Sequence, residues 1–198
     1  MTTPTEDFAE QKKELRARVS QRRNQLRAGS TDVRASAVAL NGAEIVRHQV
    51  PMGATIALFS SFGNEPPTDL LITHLVDLGY RVILPRVVND TEMTWHRYDG
   101  TWTVDTLGIP TPGVDAVPSD SASINDAHMM FIPAVAASQD GRRLGRGGGY
   151  YDRVLSTLPT YAQGGPFRVA IIDMAGLLAD GEIPMSEHDA YVDGVLVG

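Results

Sequence analysis

The sequence predicts an α/β protein: one layered α/β/α domain over residues 1–198, built on a mostly parallel sheet with helices on both faces. Three observations predict it. Strand-length apolar runs alternate with helix-length segments along most of the chain. The longest of those runs, such as Ala54-Thr55-Ile56-Ala57-Leu58-Phe59, is nearly continuous, as in strands buried on both faces. A chain of 198 residues that is 42% hydrophobic fits one domain with its own core, and nothing in it demands a second.

Each element follows from local signals. Residues 7–27 lack Pro and Gly and are rich in Lys, Arg, Glu, Gln, Ala and Leu, which favours one long helix. At about 100° per residue, Leu15, Val19 and Leu26 form a narrow apolar stripe, and Lys12, Arg16, Arg23 and Arg27 form a basic stripe beside it. One edge can pack while the other reaches a ligand; the alternative is an ordinary solvated basic face. Ser30 or Thr31 with Asp32 caps a second helix running to about Gln49, before Pro51. Residues 54–59 then read as a strand, 66–78 as a helix ended by Gly79, and 81–84 as the next strand. Residues 93–98 suggest a short edge strand, and 99–126 a loop dominated by Gly, Pro, Asp and Ser. Strands follow at 129–132, 167–172 and 192–197, with a helix at about 150–158.

Composition excludes several functions. Without cysteine there is no disulfide, thiolate metal site or cysteine nucleophile. A net charge of −7 disfavours general binding to nucleic acid, which relies on an excess of Lys and Arg. The charge is uneven, however: residues 11–34 carry eight basic residues against two acidic ones, Glu14 and Asp32. No apolar run approaches a membrane span and residues 1–10 are polar, so a soluble, cytoplasmic protein with no membrane partner is expected.

The most informative segment is Arg143-Leu144-Gly145-Arg146-Gly147-Gly148-Gly149-Tyr150-Tyr151-Asp152-Arg153. Glycines let backbone N–H groups converge on an anion, the helix that follows adds its positive end, and arginines supply forked donors for phosphate oxygens. Asp152 can accept a hydrogen bond or carry the hard cation that accompanies a triphosphate. The segment is not a Walker loop, because Tyr150 and Tyr151 stand where Lys and Ser or Thr are needed. Nor is it a dinucleotide fingerprint, because Tyr150 occupies the place of the third glycine. A flexible surface loop with incidental arginines is the alternative. In folds of this class ligands sit beyond the carboxyl ends of the strands. Phe59 to Glu65 follows the first strand and residues 134–149 follow the strand ending at Ile132, so both open onto one rim. Ser186-Glu187-His188-Asp189, after Pro184, adds His188 and Asp189 as polar candidates.

Together these segments resemble the 5-formyltetrahydrofolate cyclo-ligase family, also called methenyltetrahydrofolate synthetases. The resemblance runs from Lys12-x-x-Leu15-Arg16 through Glu65, Leu84-Pro85, Gly108-Ile109-Pro110-x-Pro112 and Ile132-Pro133. It continues through residues 140–152 to Pro184, His188-Asp189 and Val192-Asp193. Two departures stand out: Thr111 replaces a frequent acidic residue, and residues 134–138 replace a stretch usually containing Gly, Phe and Asp.

The resemblance implies a fold related to ribose-phosphate isomerases and coenzyme A transferases, and an ATP-dependent conversion of 5-formyltetrahydrofolate to 5,10-methenyltetrahydrofolate. It assigns ATP to Lys12, Arg16, Arg143, Leu144, Gly145, Arg146, Gly147, Gly148, Gly149, Tyr150 and Tyr151, with Arg146 and Asp152 catalytic. It assigns the folate to Glu65, Ser60 and Tyr150, and Mg²⁺ to Asp152 and Asp189. The expected partners are these small molecules, acting on a monomer. The competing readings are a sugar-phosphate isomerase or coenzyme A transferase relative, and a non-catalytic nucleotide- or RNA-binding module. For the last, no aromatic stacking surface interleaves with the basic helix.

Overall fold

A computed structural model describes residues 4–26, 31–113 and 124–198. Its centre is a six-stranded sheet in the order β10-β9-β6-β1-β2-β3. The strands are β1 (Thr55–Ala57), β2 (Arg81–Val87), β3 (Met93–Arg97), β6 (Ala127–Pro133), β9 (Phe167–Ile172) and β10 (Gly194–Val197). All neighbours pair in parallel except β3, which closes one edge antiparallel to β2. The expected mostly parallel sheet is present, and the expected edge strand is its antiparallel one.

Residue alternation shows why both faces are covered. Ile56, Val82, Leu84, Met129, Phe131, Val169 and Ile171 point into one core, which also holds Val38, Ala43, Leu71 and Leu75. Their sequence neighbours Ala57, Ile83, Met130, Ile132, Ala170 and Ile172 enter a second core with Leu155 and Leu158. This period of two, apolar on both sides, is the signature of a sheet sandwiched between helices. The first core is roofed by α2 (Thr31–Gln49) and α3 (Asp69–Asp77), the second by α4 (Tyr150–Thr157). On α2 the buried residues Ala35, Val38, Ala39, Gly42, Ala43 and Val46 fall on one helical stripe of small side chains, so the helix lies close to its neighbours. A Cβ at Gly42 would stand 2.8 Å from Leu71 Cδ2, so even alanine there requires the Leu71 side chain to shift.

The chain leaves β1 toward β2 on one side and leaves β6 toward β9 on the other, although β1 and β6 are adjacent. Crossovers of one handedness running in opposite directions must place α3 and α4 on opposite faces. They also open a crevice between the carboxyl ends of β1 and β6. Helix α1 (Pro4–Leu26) lies on this end of the sheet rather than on a face. Leu15 and Val19 pack with Ala136, Leu144 and Ile183, and Arg23 pairs with the buried Asp173 just after β9. The expected apolar stripe is therefore the packing edge at Leu15 and Val19; the side chain of Leu26, and Arg27 and Ser30, lie outside the described residues.

Two segments expected as loops contain hairpins. Within residues 99–126, β4 (Trp102–Val104) pairs with β5 (Pro110–Pro112), and Thr111 donates from Oγ1 to the Pro85 carbonyl at 3.0 Å. Prolines without an N–H read as breakers, yet at a two-stranded edge they cost no ladder bond. Between β6 and α4, β7 (Ala136–Ala137) pairs with β8 (Arg143–Leu144), lifting the glycine segment over the crevice. Strands of two or three residues are too short to leave a periodic signal. No helix among the described residues is long and apolar enough to cross a membrane.

Candidate active site

A cleft of about 1060 Å³ opens at the carboxyl ends of the strands. Every residue singled out from the sequence lines it: Lys12 and Arg16 from α1, Ser60 and Glu65 after β1, residues 143–152 after β6, and Asp189 from the C-terminal turn. The convergence follows from topology, since these segments leave adjacent parallel strands or lie across their ends.

The glycine segment is shaped by its arginines. Gly147 has φ 106° and Gly149 φ 69°, left-handed conformations that side-chain-bearing residues rarely adopt. Gly149 is the N-cap of α4, so the free N–H groups of that helix face the cleft. Arg16 donates from Nε to the Gly145 carbonyl at 2.8 Å, and its guanidinium rests over Gly147. The buried Arg143 pairs with Asp152, whose Oδ1 also accepts the Ala190 N–H at 3.3 Å. Arg146 reaches across the crevice to the β1 loop, donating to the Phe62 carbonyl at 2.8 Å and pairing with Glu65 at 3.0 Å.

Glu65 is unusual for a loop carboxylate, its side chain being only 12% exposed. Burial raises its pKa above the ordinary glutamate value, against the opposing pull of the Phe62 N–H, Arg146 and Arg23. The Phe62 N–H donates to Oε2 at 2.8 Å and Arg146 holds Oε1, so Glu65 is fixed as an acceptor beside the cations.

The second acidic position is built differently. Burial alone would raise the pKa of Asp189, but hydrogen bonds from Lys12 and from the Ser186 N–H and hydroxyl outweigh it and hold the group below its usual range. Among the described residues, the bonds to Asp152 all fall on Oδ1 and those to Asp189 on Oδ2. Each carboxylate thus presents its other oxygen. No group of three or more acidic or imidazole side chains gathers among the described residues. Two carboxylate oxygens do not make a cage for a bare cation, but they fit a hard cation that takes its remaining ligands from phosphates and water.

The structure adds contacts that the sequence did not single out. Arg153 lies one helical turn beyond Tyr150, with its guanidinium 4.9 Å from the Tyr150 ring centroid. It donates to the Thr91 carbonyl at 3.2 Å and the Gly148 carbonyl at 3.1 Å, while the Tyr150 hydroxyl donates to the Asn89 carbonyl at 3.0 Å. The β2–β3 turn is thereby fastened to the glycine segment, and the i,i+3 spacing of Tyr150 and Arg153 was the available signal. His188, paired with Asp189 as a candidate, stays exposed at the rim beside Glu187. Of the basic stripe, Lys12 and Arg16 face the cleft and Arg23 holds Asp173; Lys13, off the stripe, bonds Glu10 in solvent.

Fold and site together define an α/β protein whose cleft sets a glycine-lined helix N-terminus and several cations beside carboxylates, an arrangement suited to an anionic ligand. Comparison with known proteins makes the assignment specific. A model of the 5-formyltetrahydrofolate cyclo-ligase family matches residues 8–198, and the chain belongs to that family. The 5-formyltetrahydrofolate cyclo-ligase of Mycolicibacterium smegmatis is 33% identical over 150 residues, 73% of each chain. That of Mus musculus is 29% identical over 192 residues, covering 93% of this chain and 92% of its own. In fold, the chain is similar to the 5,10-methenyltetrahydrofolate synthetase of Aquifex aeolicus, with a TM-score of 0.73 at 24% identity over 94% of this chain and 89% of that one.

Proposed function

We propose that this chain, acting as a single-domain monomer, converts 5-formyltetrahydrofolate and ATP to 5,10-methenyltetrahydrofolate, ADP and phosphate. The observation that carries the reading is one cleft in which a glycine-lined helix N-terminus and the cations Lys12, Arg16, Arg143 and Arg146 adjoin the buried carboxylate of Glu65.

A formamide oxygen is a poor leaving group, so it must be activated. The formyl oxygen attacks the γ-phosphorus, the bond to the β-phosphate oxygen breaks, and ADP leaves. N10 then attacks the formyl carbon, the carbon–oxygen bond breaks, phosphate departs with that oxygen and its electron pair, and N10 releases its proton to solvent. The protein's part is positioning and charge stabilisation. Residues 143–149 and the N-terminus of α4 cradle the phosphates, with Leu144 anchoring the segment in the core and Lys12 and Arg16 closing over them from α1. Arg146, half-exposed in the cleft, meets the charge of the transferred group. Glu65 accepts the ring N–H groups of the pterin, with Ser60 and Tyr150 lining the same side. Asp152 and Asp189 would hold Mg²⁺, which neutralises phosphate charge when bound.

Purified protein incubated with 5-formyltetrahydrofolate and Mg²⁺-ATP is expected to develop the absorbance of the methenyl product, with one ADP formed per turnover. Absence of product would overturn this reading. Turnover without ATP would favour the isomerase or transferase chemistry that related folds support.

A further inference from the structure

Tyr151 belongs to the segment that the resemblance assigns to ATP, but its hydroxyl has no task in the scheme above. Its ring is wedged between the two cores of the sheet and meets Trp95 edge-on, with ring centroids 6.4 Å apart at 81°. Phenylalanine would satisfy that packing equally well. Yet the phenol oxygen is buried without a hydrogen-bond partner among the described residues, an arrangement that destabilises the free fold. Arg143 repeats the pattern: one of its nitrogens bonds Asp152, while its buried Nε has no acceptor among the described residues.

Two buried donors on one cleft wall, a cation and a protonated phenol, lack an acceptor. The complement they demand is an anionic oxygen. Their place in the site says which one. On the reading above, Glu65 marks the pterin side of Tyr151 and the glycine segment marks the phosphate side. Between them lie the formyl oxygen and the phosphoryl group that it receives.

We propose that the Tyr151 hydroxyl is a catalytic hydrogen-bond donor to the phosphoryl group in transit, with Arg143 Nε donating beside it. As the carbon–oxygen bond breaks and N10 closes on the formyl carbon, phosphate takes the electron pair, and the O–H group meets the charge growing on its oxygens. Tyr151 itself transfers no proton. The unpaired hydroxyl therefore lowers the stability of the free protein and is satisfied only while the reaction runs.

The inference rests on the cyclo-ligase reading, so wild-type turnover is measured first. Tyr151→Phe keeps the ring and removes the donor. Its kcat is expected to fall about 10²-fold, with KM for both substrates within about threefold of wild type. Because an unsatisfied group has been removed, Tm is expected to be unchanged or raised by about 2–4 °C. An active wild type with an equally active Tyr151→Phe overturns the proposal alone. So does a variant whose loss of kcat comes with a lowered Tm, because the hydroxyl would then have a structural partner. An inactive wild type overturns the cyclo-ligase reading and this proposal with it.

Discussion

Single residues in this cleft differ in what burial does to them, and that difference sets their expected behaviour. Glu65 has its pKa raised mainly by burial, so the folded protein binds its proton more readily than the unfolded chain does. Its contribution to stability is therefore full below the ordinary glutamate pKa and is lost as pH rises through the raised value, whereas the acceptor role proposed for it toward the pterin would be gained over the same window. KM for the folate is expected to rise as pH falls through that window, with kcat at saturation little changed. Glu65→Gln should show a KM about tenfold higher that is flat with pH, together with a Tm at neutral pH no lower than wild type. A Glu65→Gln enzyme retaining the wild-type pH profile of KM would rule this role out. Arg146 is the opposite case, half-exposed and held by Glu65 and the Phe62 carbonyl. Arg146→Ala is expected to lower turnover about 10²–10³-fold while moving Tm by about 2 °C or less. Arg146→Lys should recover only part of the activity, because an ammonium lacks the forked donor geometry. Steady-state kinetics and a thermal scan on the same preparations check both expectations. Glu65 and Arg146 could be picked out in the sequence from the glycine segment and the strand that precedes Glu65. Their ion pair could not, because it joins residues 81 positions apart through two loops whose lengths alone do not fix their meeting.

At the level of elements, α1 shows how one helix divides its labour by angle. Leu15 and Val19 pack, Lys12 and Arg16 turn into the cleft, and Lys13 points to solvent, where it bonds Glu10 at 3.2 Å. Lys12→Met is expected to weaken ATP binding about tenfold, the scale of one charge-assisted contact, whereas Lys13→Met should leave it within about twofold. Calorimetric titration of the two variants distinguishes them, and equal losses would refute the angular assignment. The stripe was legible because a helical period of 3.6 places Lys12, Leu15, Arg16 and Val19 on one half of the helix. The long helices were legible for the same reason, and the strands of the central sheet from their short, nearly continuous apolar runs. The hairpins β4–β5 and β7–β8 were not. Their pairing depends on Thr111 reaching Pro85, and on Val135 donating to the Leu144 carbonyl at 2.8 Å, rather than on any local repeat.

For the molecule as a whole, the cleft is assembled from both ends of the chain and from two loops of the sheet, so ligand and fold should stabilise each other. With Mg²⁺-ATP at about 100 times its Kd, the linkage amounts to about 2.7 kcal/mol, which for a domain of this size is a rise in Tm of about 5–10 °C. Chelating the cation should remove most of that rise. In Asp152→Asn and Asp189→Asn the shift produced by ATP should no longer respond to Mg²⁺. A wild-type shift that ignores chelation would refute the assignment of these carboxylates to the cation, while leaving the phosphate cradle in place.

The sequence by itself determined the α/β class, the layering and the glycine-and-arginine pattern of residues 143–152 from which phosphate binding is proposed, because these rest on short-range quantities: periodicity, glycine spacing and local charge. It also placed Glu65 and the glycine segment on one rim, since parallel strands all end on the same side. Only the tertiary structure decided which side chains meet. It paired Lys12 with Asp189 and Arg143 with Asp152, and fastened the β2–β3 turn to Tyr150 and Arg153. It also left the Tyr151 hydroxyl buried and without an acceptor among the described residues. The physical reason is that strand order is set by burial of both sheet faces at once. The switch in crossover direction between the parallel neighbours β1 and β6, which opens the cleft, is a property of the whole sheet and of no segment within it.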